Sequence, residues 1–140
     1  MPKYLPPEEF KSIYSRVPRL CIDLIVDSDD GVLLTKREID PGKGFWHLPG
    51  GTVLLGEPLE DAARRILENE TGLTARGFEL IGTLEFPDEG NPFRHAVSLV
   101  FQVIGKRGKM RGSDQAREMA FFNELPELMI SEHREFLEEE

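Results

Sequence analysis

Residues 50–73 of this chain read GGTVLLGEPLEDAARRILENETGL, and they contain a double glycine, a short loop and a helix with clear start and stop signals. Pro58 suits the first helical position, where the missing N–H of proline costs nothing, and the two alanines that follow favour helix. Gly72 is placed to end the helix, because glycine adopts the left-handed backbone found at helix ends. The sequence therefore predicts a loop, a helix from Pro58 to about Thr71, and a second loop.

One face of the predicted helix carries positions 66, 69 and 70, because side chains three and four positions apart are neighbours on a helix. These residues are Ile66, Asn69 and Glu70, so the face offers a single carboxylate. Glu68 is rotated by about 200° from Ile66 and is predicted to face solvent.

The spacing of these residues resembles the Nudix box, a family pattern that reads G-x5-E-x7-R-E-U-x-E-E-x-G-U, in which U is a bulky aliphatic residue. Seven of its nine specified positions are matched here, by Gly51, Glu57, Arg65, Leu67, Glu70, Gly72 and Leu73. Ile66 and Asn69 stand where the family has glutamates. A match of this length is far more specific than a single glycine motif.

The resemblance implies a fold, a structural frame and a metal site. The implied fold class is α/β, a Nudix-type α/β/α sandwich with a mixed β-sheet and a loop-helix-loop metal site. Glu57 and Arg65 are implied to form a salt bridge that fixes the loop on the helix, and Gly51 and Gly72 to serve backbone geometry. With one carboxylate where the family has three, the site is expected to hold one Mg²⁺ at Glu70, completed by backbone, diphosphate and water oxygens.

A longer stretch, Tyr4–Leu73, resembles the GDP-mannose mannosyl hydrolase branch of the Nudix family. The matching pieces are Glu8-Glu9-Phe10, Pro18, Asp23-Leu24-Ile25-Val26, Leu33-Leu34, Lys36-Arg37 and Gly44-Phe45-Trp46. That branch also lacks the first two box carboxylates, and its enzymes direct water to the anomeric carbon of the sugar, releasing the nucleoside diphosphate with inversion. Attack at carbon needs charge on the leaving diphosphate to be neutralised, which one Mg²⁺ and an arginine can do.

The positions that match this branch give several residues an implied role. Asp23 is expected to contact the nucleobase or sugar, and Lys36 and Arg37 the diphosphate, with Arg37 also acting in catalysis alongside Glu70. The implied metal ligands are Glu70, the Gly50 carbonyl and Gln115. Two alternatives stay open from the residues alone, since Asp23 could be an ordinary strand residue beside a turn and the basic pair a solvated strand end.

The chain departs from the branch at the general base, which the branch supplies as a histidine directly after the metal-binding glutamine. Here that residue is Ala116, and Thr52 stands where the branch has an arginine. A general base contributes roughly 10²- to 10⁴-fold in rate, so the loss is substantial. Other residues that could supply a base are His95, Asp88, Glu89 and Glu118. The sequence leaves the base unidentified.

Composition restricts the classes of protein to which the chain can belong. A net charge of −9 argues against a protein that coats nucleic acid, and it disfavours phosphorylated substrates unless a cation reverses the local sign. Cys21 is the one cysteine, so it cannot form an internal disulfide and is predicted to be a small core residue in a reducing, cytoplasmic interior. No apolar run approaches the roughly 20 residues that a membrane span needs. We predict one domain over residues 1–140, with a helical extension over residues 1–17, and the resemblance to the mannosyl hydrolase branch implies that this extension supports a homodimer.

Periodicity and turn residues predict the other elements. A helix is expected to start within Pro6–Phe10 and to end near Val17. A strand is expected over Leu20–Val26, with a returning strand over Val32–Lys36 that forms a hairpin with it. Further strands are expected at Phe45–Leu48, Phe78–Phe86, His95–Ile104 and Glu118–Phe122, with a loop at Lys106–Gly112 and a last helix over Ser131–Glu139.

Three functions compete at this stage. The first is Mg²⁺-dependent hydrolysis of a nucleoside diphosphate sugar, such as GDP-mannose, at the sugar carbon. The second is a conventional Nudix pyrophosphatase that attacks phosphorus and yields a nucleoside monophosphate. The third is a catalytically weak module that binds a nucleotide, which the missing carboxylates and missing base would explain.

Overall fold

Three helices and eight strands are present in the computed structural model, which describes residues 4–38, 43–87, 95–111 and 118–139. The helices are α1 (Pro7–Tyr14), α2 (Leu59–Thr71) and α3 (Ser131–Glu139). The strands are β1 (Arg19–Ile25), β2 (Asp27–Ser28), β3 (Gly31–Lys36), β4 (Trp46–His47), β5 (Gly50–Thr52), β6 (Thr74–Phe86), β7 (Ala96–Arg107) and β8 (Met119–Phe122).

The strands form two four-stranded sheets. In the first the order is β5-β1-β7-β6, where β1 and β7 are parallel and the other pairs are antiparallel. In the second, β3 pairs antiparallel with β2, β4 and β8. Helix α2 packs against β1, β5 and β6, and α3 packs against β6. The predicted α/β fold with a mixed sheet and covering helices is confirmed.

The predicted hairpin between the first two long strands is wrong. β1 pairs with β5 and β7 in the first sheet, whereas β3 lies in the second sheet, so the chain changes sheets near Val26. The turn before Gly31 is present, but it joins β3 to the two-residue strand β2. Both β1 and β3 carry runs of consecutive buried residues, as expected of strands that are central in their own sheets.

Helix α2 is fixed by the residues that it buries. Five residues of the helix are buried, namely Ala62, Ala63, Ile66, Leu67 and Thr71. The first four of them join a core cluster with residues of β1, β3 and β7. Full burial of a side chain the size of Ile or Leu contributes about 1.5–3 kcal/mol. The packing therefore holds the rotation of the helix and sets which of its side chains face outward.

Both ends of α2 follow from local sequence. The helix begins at Leu59, one residue later than predicted, and Pro58 directly precedes it. At the other end, the backbone N–H of Gly72 donates to the Glu68 carbonyl at 2.9 Å. Gly72 has φ of 80°, and a Cβ there would lie 2.4 Å from Cγ of Arg111. Glycine is therefore favoured here because it adopts this left-handed backbone and because a side chain would collide with Arg111.

The remaining expectations are met with shifted boundaries. β6 and β7 are longer than predicted, and the segment expected to be a loop from Lys106 begins inside β7. Cys21 is buried in β1, as predicted. No helix within the described ranges is long and apolar enough to cross a membrane.

Candidate functional site

A cavity of about 490 Å³ lies between α1, the loop that follows β5, and the outward face of α2. Seven of the residues that the sequence singled out line it, namely Gly50, Gly51, Thr52, Arg65, Ile66, Asn69 and Glu70. N-terminal residues to which the sequence gave no role at the site also line it, among them Tyr4, Phe10 and Tyr14. The cavity therefore joins the box to the segment before the first strand.

Glu70 and Gly50 supply oxygen to this cavity from two different elements. Glu70 is half-buried near the end of α2, and Gly50 begins β5 opposite Asp23 of β1. Within the part of the chain that the structure describes, no group of three or more His, Cys, Asp or Glu side chains is placed to hold a metal ion. A Mg²⁺ site with few protein ligands fits this donor set, because Mg²⁺ keeps water and substrate phosphate oxygens in its coordination shell. The third predicted ligand, Gln115, lies outside the described residues.

The predicted ion pair between Arg65 and Glu57 is present. Arg65 Nε and Nη2 donate to the two oxygens of Glu57 at 2.8 and 3.0 Å, and Nη2 also donates to the Thr52 carbonyl at 2.8 Å. The hydrogen bond from Arg65 holds the pKa of Glu57 below its usual value, and the same bond raises the pKa of Arg65. The Glu57 carboxylate also accepts the Leu54 backbone N–H at 3.1 Å. The guanidinium therefore ties both ends of the loop to α2.

The side chains on the outward face of α2 differ in how exposed they are. Ile66 is 2% exposed and lies 3.2 Å from where a Cβ on Gly51 would be, so this position belongs to the core. Asn69 is exposed, and Glu68 faces solvent as predicted. Glu70 thus carries the one carboxylate of the box face that reaches the cavity.

Tyr4 crosses from the N-terminal segment to this face. Its hydroxyl oxygen accepts hydrogen bonds from Arg65 Nη1 and Asn69 Nδ2, each at 2.9 Å. The guanidinium carbon of Arg65 lies 5.2 Å from the centre of the Tyr4 ring, a cation–π distance. Sequence reasoning missed this contact, because its partners are separated by 61 and 65 residues and neither partner alone signals it.

Asp23 lies beneath Gly50 and not in the cavity lining. Its side chain is 10% exposed, it accepts a hydrogen bond from the Ser98 hydroxyl at 2.6 Å, and its Oδ2 is 3.2 Å from Nε2 of His133. A Cβ on Gly50 would lie 2.3 Å from Asp23 Oδ1, so the carboxylate packs directly under the β5 backbone. Asp23 therefore packs against β5, and its contact with substrate stays a prediction.

Burial alone would raise the pKa of Asp23, but the neighbouring His133 and the Ser98 hydroxyl outweigh burial and hold that pKa below its ordinary value. Nδ1 of His133 accepts the Leu48 backbone N–H at 3.0 Å, so the ring proton of a neutral His133 lies on Nε2, toward Asp23. That proton makes a close electrostatic contact rather than an aligned hydrogen bond. The three side chains are buried, and Ser98 bonds to the carboxylate and not to the imidazole, so the cluster is not a nucleophilic triad.

His47 lies beside this cluster, 6.3 Å from His133 between ring centres, and its Nδ1 is 2.8 Å from the Leu48 carbonyl oxygen. Burial lowers the pKa of His47 to about 4, and the hydrogen bond to Leu48 only partly offsets it. His47 is therefore neutral near pH 7, and its Nδ1–H donates to that carbonyl.

The two residues predicted to contact the diphosphate, Lys36 and Arg37, lie outside the cavity lining. β3 ends at Lys36, and Arg37 directly follows it. Lys36 Nζ is 6.0 Å from the centre of the Trp46 ring. Arg37 is held by its backbone, which exchanges hydrogen bonds with the segment from Gly44 to Phe45. Their contact with substrate stays a prediction.

Neither of the two general-base candidates that lie within the described residues, His95 and Glu118, lines the cavity. His95 Nε2 is 3.5 Å from an exposed Glu85 carboxylate, and neither residue lines the cavity. Glu118 is exposed at the start of β8. The remaining candidates, Asp88 and Glu89, and the substituted position Ala116 lie outside the described residues.

Comparison with known proteins supports one family. A family model described as "NUDIX domain" matches residues 17–139. An ADP-ribose pyrophosphatase of Methanocaldococcus jannaschii is 39% identical over 84% of this chain and 70% of its own length. The low-salt glycan biosynthesis protein Agl8 of Haloferax volcanii is 36% identical over 71% of this chain and 67% of its own length. The crystal structure of a MutT NUDIX hydrolase from Burkholderia pseudomallei superposes with a TM-score of 0.80 at 28% identity, over 88% of this chain and 98% of that one.

Proposed function

This chain belongs to the NUDIX family, and we propose that it hydrolyses a nucleoside diphosphate joined to a sugar, such as GDP-mannose, with Mg²⁺ as its cofactor. The observation that carries the proposal is the shared cavity of Glu70 and Gly50, beside a loop that Arg65 fixes to α2. One relative named above supports the substrate class, because it is an ADP-ribose pyrophosphatase and ADP-ribose is a nucleoside diphosphate joined to a sugar.

The residues present fit a divalent cation. The Glu70 carboxylate and the Gly50 carbonyl would hold it, with Gln115 as the third predicted ligand. When bound, the ion would neutralise negative charge on the diphosphate. This matters in a chain whose net charge is −9, because the charge of the chain as a whole repels phosphates.

The bond that we propose to be cleaved joins the sugar carbon to the diphosphate oxygen. Water adds to the carbon and releases one proton to solvent, the C–O bond breaks with inversion, and the electron pair of that bond leaves with the nucleoside diphosphate. The support is the sparse box face, where Ile66 is in the core, Asn69 carries no charge, and Glu70 is the remaining carboxylate. A face with one carboxylate suits neutralisation of a leaving group better than assembly of several metals around an attacking hydroxide.

Arg37 is proposed to contact the diphosphate and contribute to catalysis, with Lys36 beside it. Both lie at the end of β3, outside the cavity lining, so this part of the proposal requires the substrate to extend beyond the cavity. Replacement of Arg37 by Gln tests it, because a residue that binds the leaving group lowers kcat whereas a solvated surface residue changes neither kcat nor KM.

A second candidate is hydrolysis at phosphorus, which yields a nucleoside monophosphate and a sugar phosphate. The 39% identity to an ADP-ribose pyrophosphatase over most of this chain favours it. The two reactions differ in which product receives the oxygen of water, so product analysis separates them.

To test this, the protein is incubated with Mg²⁺ in ¹⁸O-labelled water and with each member of a substrate panel that includes GDP-mannose and ADP-ribose. The products are then analysed by mass spectrometry. The proposal predicts free sugar that carries the label and unlabelled nucleoside diphosphate. Label in a phosphate product would establish the second candidate. Tight binding of the panel without metal-stimulated turnover would instead indicate a nucleotide-binding module. The homodimer and the cytoplasmic location stay predictions, and light scattering of the purified chain tests the former.

A further inference from the structure

The hydroxyl of Tyr4 is held in a fixed orientation by two donors from α2. Arg65 Nη1 and Asn69 Nδ2 both donate to its oxygen at 2.9 Å. A phenolic oxygen accepts hydrogen bonds and has one hydrogen of its own to donate. With both acceptor directions taken up, that hydrogen points away from α2. It is donated to no residue of the described ranges.

The identity of residue 69 decides whether this hydrogen is available. A glutamate at this position, as the Nudix pattern has it, would present carboxylate oxygens that capture the Tyr4 hydrogen. Asn69 presents its amide N–H instead, so the Tyr4 oxygen accepts and its hydrogen stays free. The second departure from the box is thus chemically coupled to an aromatic residue 65 positions earlier in the chain.

The location of Tyr4 indicates what it would bind. Tyr4 and Asn69 line the same cavity as Glu70 and Gly50. A hydroxyl that donates beside a cation site, and that is polarised by a guanidinium, suits an anionic oxygen acceptor. We propose that the Tyr4 hydroxyl donates a hydrogen bond to a phosphoryl oxygen of the bound nucleoside diphosphate, which makes Tyr4 a substrate-binding residue.

This inference rests on the proposed function, and it adds a role for the N-terminal segment. The segment is a wall of the site, and Tyr4 connects that wall to the box through Arg65. The Arg65 guanidinium also binds Glu57 and the Thr52 carbonyl, so this one side chain links the loop, the helix and the N-terminal segment. A phosphate that accepts a hydrogen bond from Tyr4 would therefore bind to a hydroxyl whose position Arg65 already fixes.

The test uses Tyr4→Phe, which keeps the ring on the Arg65 guanidinium and removes only the hydroxyl. The matched control is Tyr14→Phe, since Tyr14 lines the same cavity but bonds to neither Arg65 nor Asn69. Calorimetry in Mg²⁺ measures the affinity of the full chain and both variants for GDP and ADP, and for guanosine and adenosine, which lack phosphate. Thermal unfolding of each variant is measured in parallel.

Tyr4→Phe is expected to weaken diphosphate binding about tenfold, as loss of a hydrogen bond to a charged group does, while nucleoside affinity stays within twofold. Tyr14→Phe is expected to stay within twofold for every ligand. An equal loss for nucleosides and diphosphates, or no loss in Tyr4→Phe, would overturn the inference while leaving the proposed function intact. If the unmodified chain binds diphosphates no better than nucleosides, both the inference and the proposed function are overturned.

Discussion

Replacement of Arg65 by lysine tests how the loop after β5 is held on α2. In the structure the guanidinium makes two hydrogen bonds to Glu57 and one to the Thr52 carbonyl, at 2.8 to 3.0 Å, and another to Tyr4. A lysine ammonium cannot reproduce this planar fork and can satisfy one of these acceptors well. The Glu57 side chain is 5% exposed, so water cannot readily replace the lost donors.

The magnitude follows from those contacts. Two or three hydrogen bonds are lost, at about 1 kcal/mol net each, and a nearly buried carboxylate is left partly unsatisfied. Arg65→Lys should therefore lower the free energy of unfolding by about 2–4 kcal/mol, and the melting temperature by about 10 °C for a domain of this size. The measurement is urea unfolding followed by circular dichroism, with thermal unfolding as a second readout.

Arg16→Lys is the matched control, because Arg16 is exposed just beyond α1 and the same substitution there should change stability by less than about 0.5 kcal/mol. The pH dependence gives a further check. The pKa of Glu57 is lowered in the folded state, so the stability it contributes is complete above the ordinary value of 4.5 and is lost as pH falls below it. The difference between Arg65→Lys and the unmodified chain should shrink in that acid range. Equal stabilities of the Arg65 and Arg16 variants at pH 7 would refute the reasoning.

Three further predictions concern the frame around the site. The pKa of His47 is about 4 in the fold against 6.5 unfolded, so the unfolded chain binds the proton more tightly and acidification from pH 6.5 to 4 should cost up to about 3 kcal/mol. The variant His47→Asn, which keeps a donor for the Leu48 carbonyl, should lose that part of the pH dependence in urea unfolding, and an unchanged dependence would contradict the assignment. Restoring the family glutamate should cost more than about 4 kcal/mol at Ile66, which is in the core, and less than about 1 kcal/mol at exposed Asn69. Equal unfolding free energies of these two variants would contradict the burial. Gly50→Ala places a Cβ 2.3 Å from Asp23 Oδ1 and should destabilise by about 2–3 kcal/mol, whereas Gly77→Ala meets no atom within 4 Å and should change stability little.

Local signals were enough to predict α2 and its ends. Pro58, the alanines and Gly72 act within a few residues of one another, and the structure shows the helix from Leu59 to Thr71. The pairing of Arg65 with Glu57 was implied by the family spacing alone, since eight residues of loop and helix separate the partners. Elements whose signals are local are therefore predictable from sequence.

Contacts between distant segments were not predictable. The turn residues after β1 predict a hairpin, but they do not show which strands β1 and β3 pair with. Both strands are buried over consecutive residues, because each is central in its own sheet. The contact of Tyr4 with Asn69 and that of Asp23 with His133 join residues more than 60 positions apart. In such pairs each residue has an ordinary local context, and only the assembled fold makes the pair.

The most direct test of the account is whether Glu70 anchors a divalent cation that holds the diphosphate. The measurement is a Mn²⁺ titration followed by electron paramagnetic resonance, with and without GDP, on the unmodified chain, Glu70→Gln and Glu68→Gln. Glu68 is two residues away and faces solvent, so it matches the charge change without touching the cavity. We predict that GDP-dependent Mn²⁺ binding and Mg²⁺-dependent turnover are lost in Glu70→Gln and retained in Glu68→Gln, with all three proteins equally folded. Retention of Mn²⁺ binding and turnover in Glu70→Gln would contradict the account.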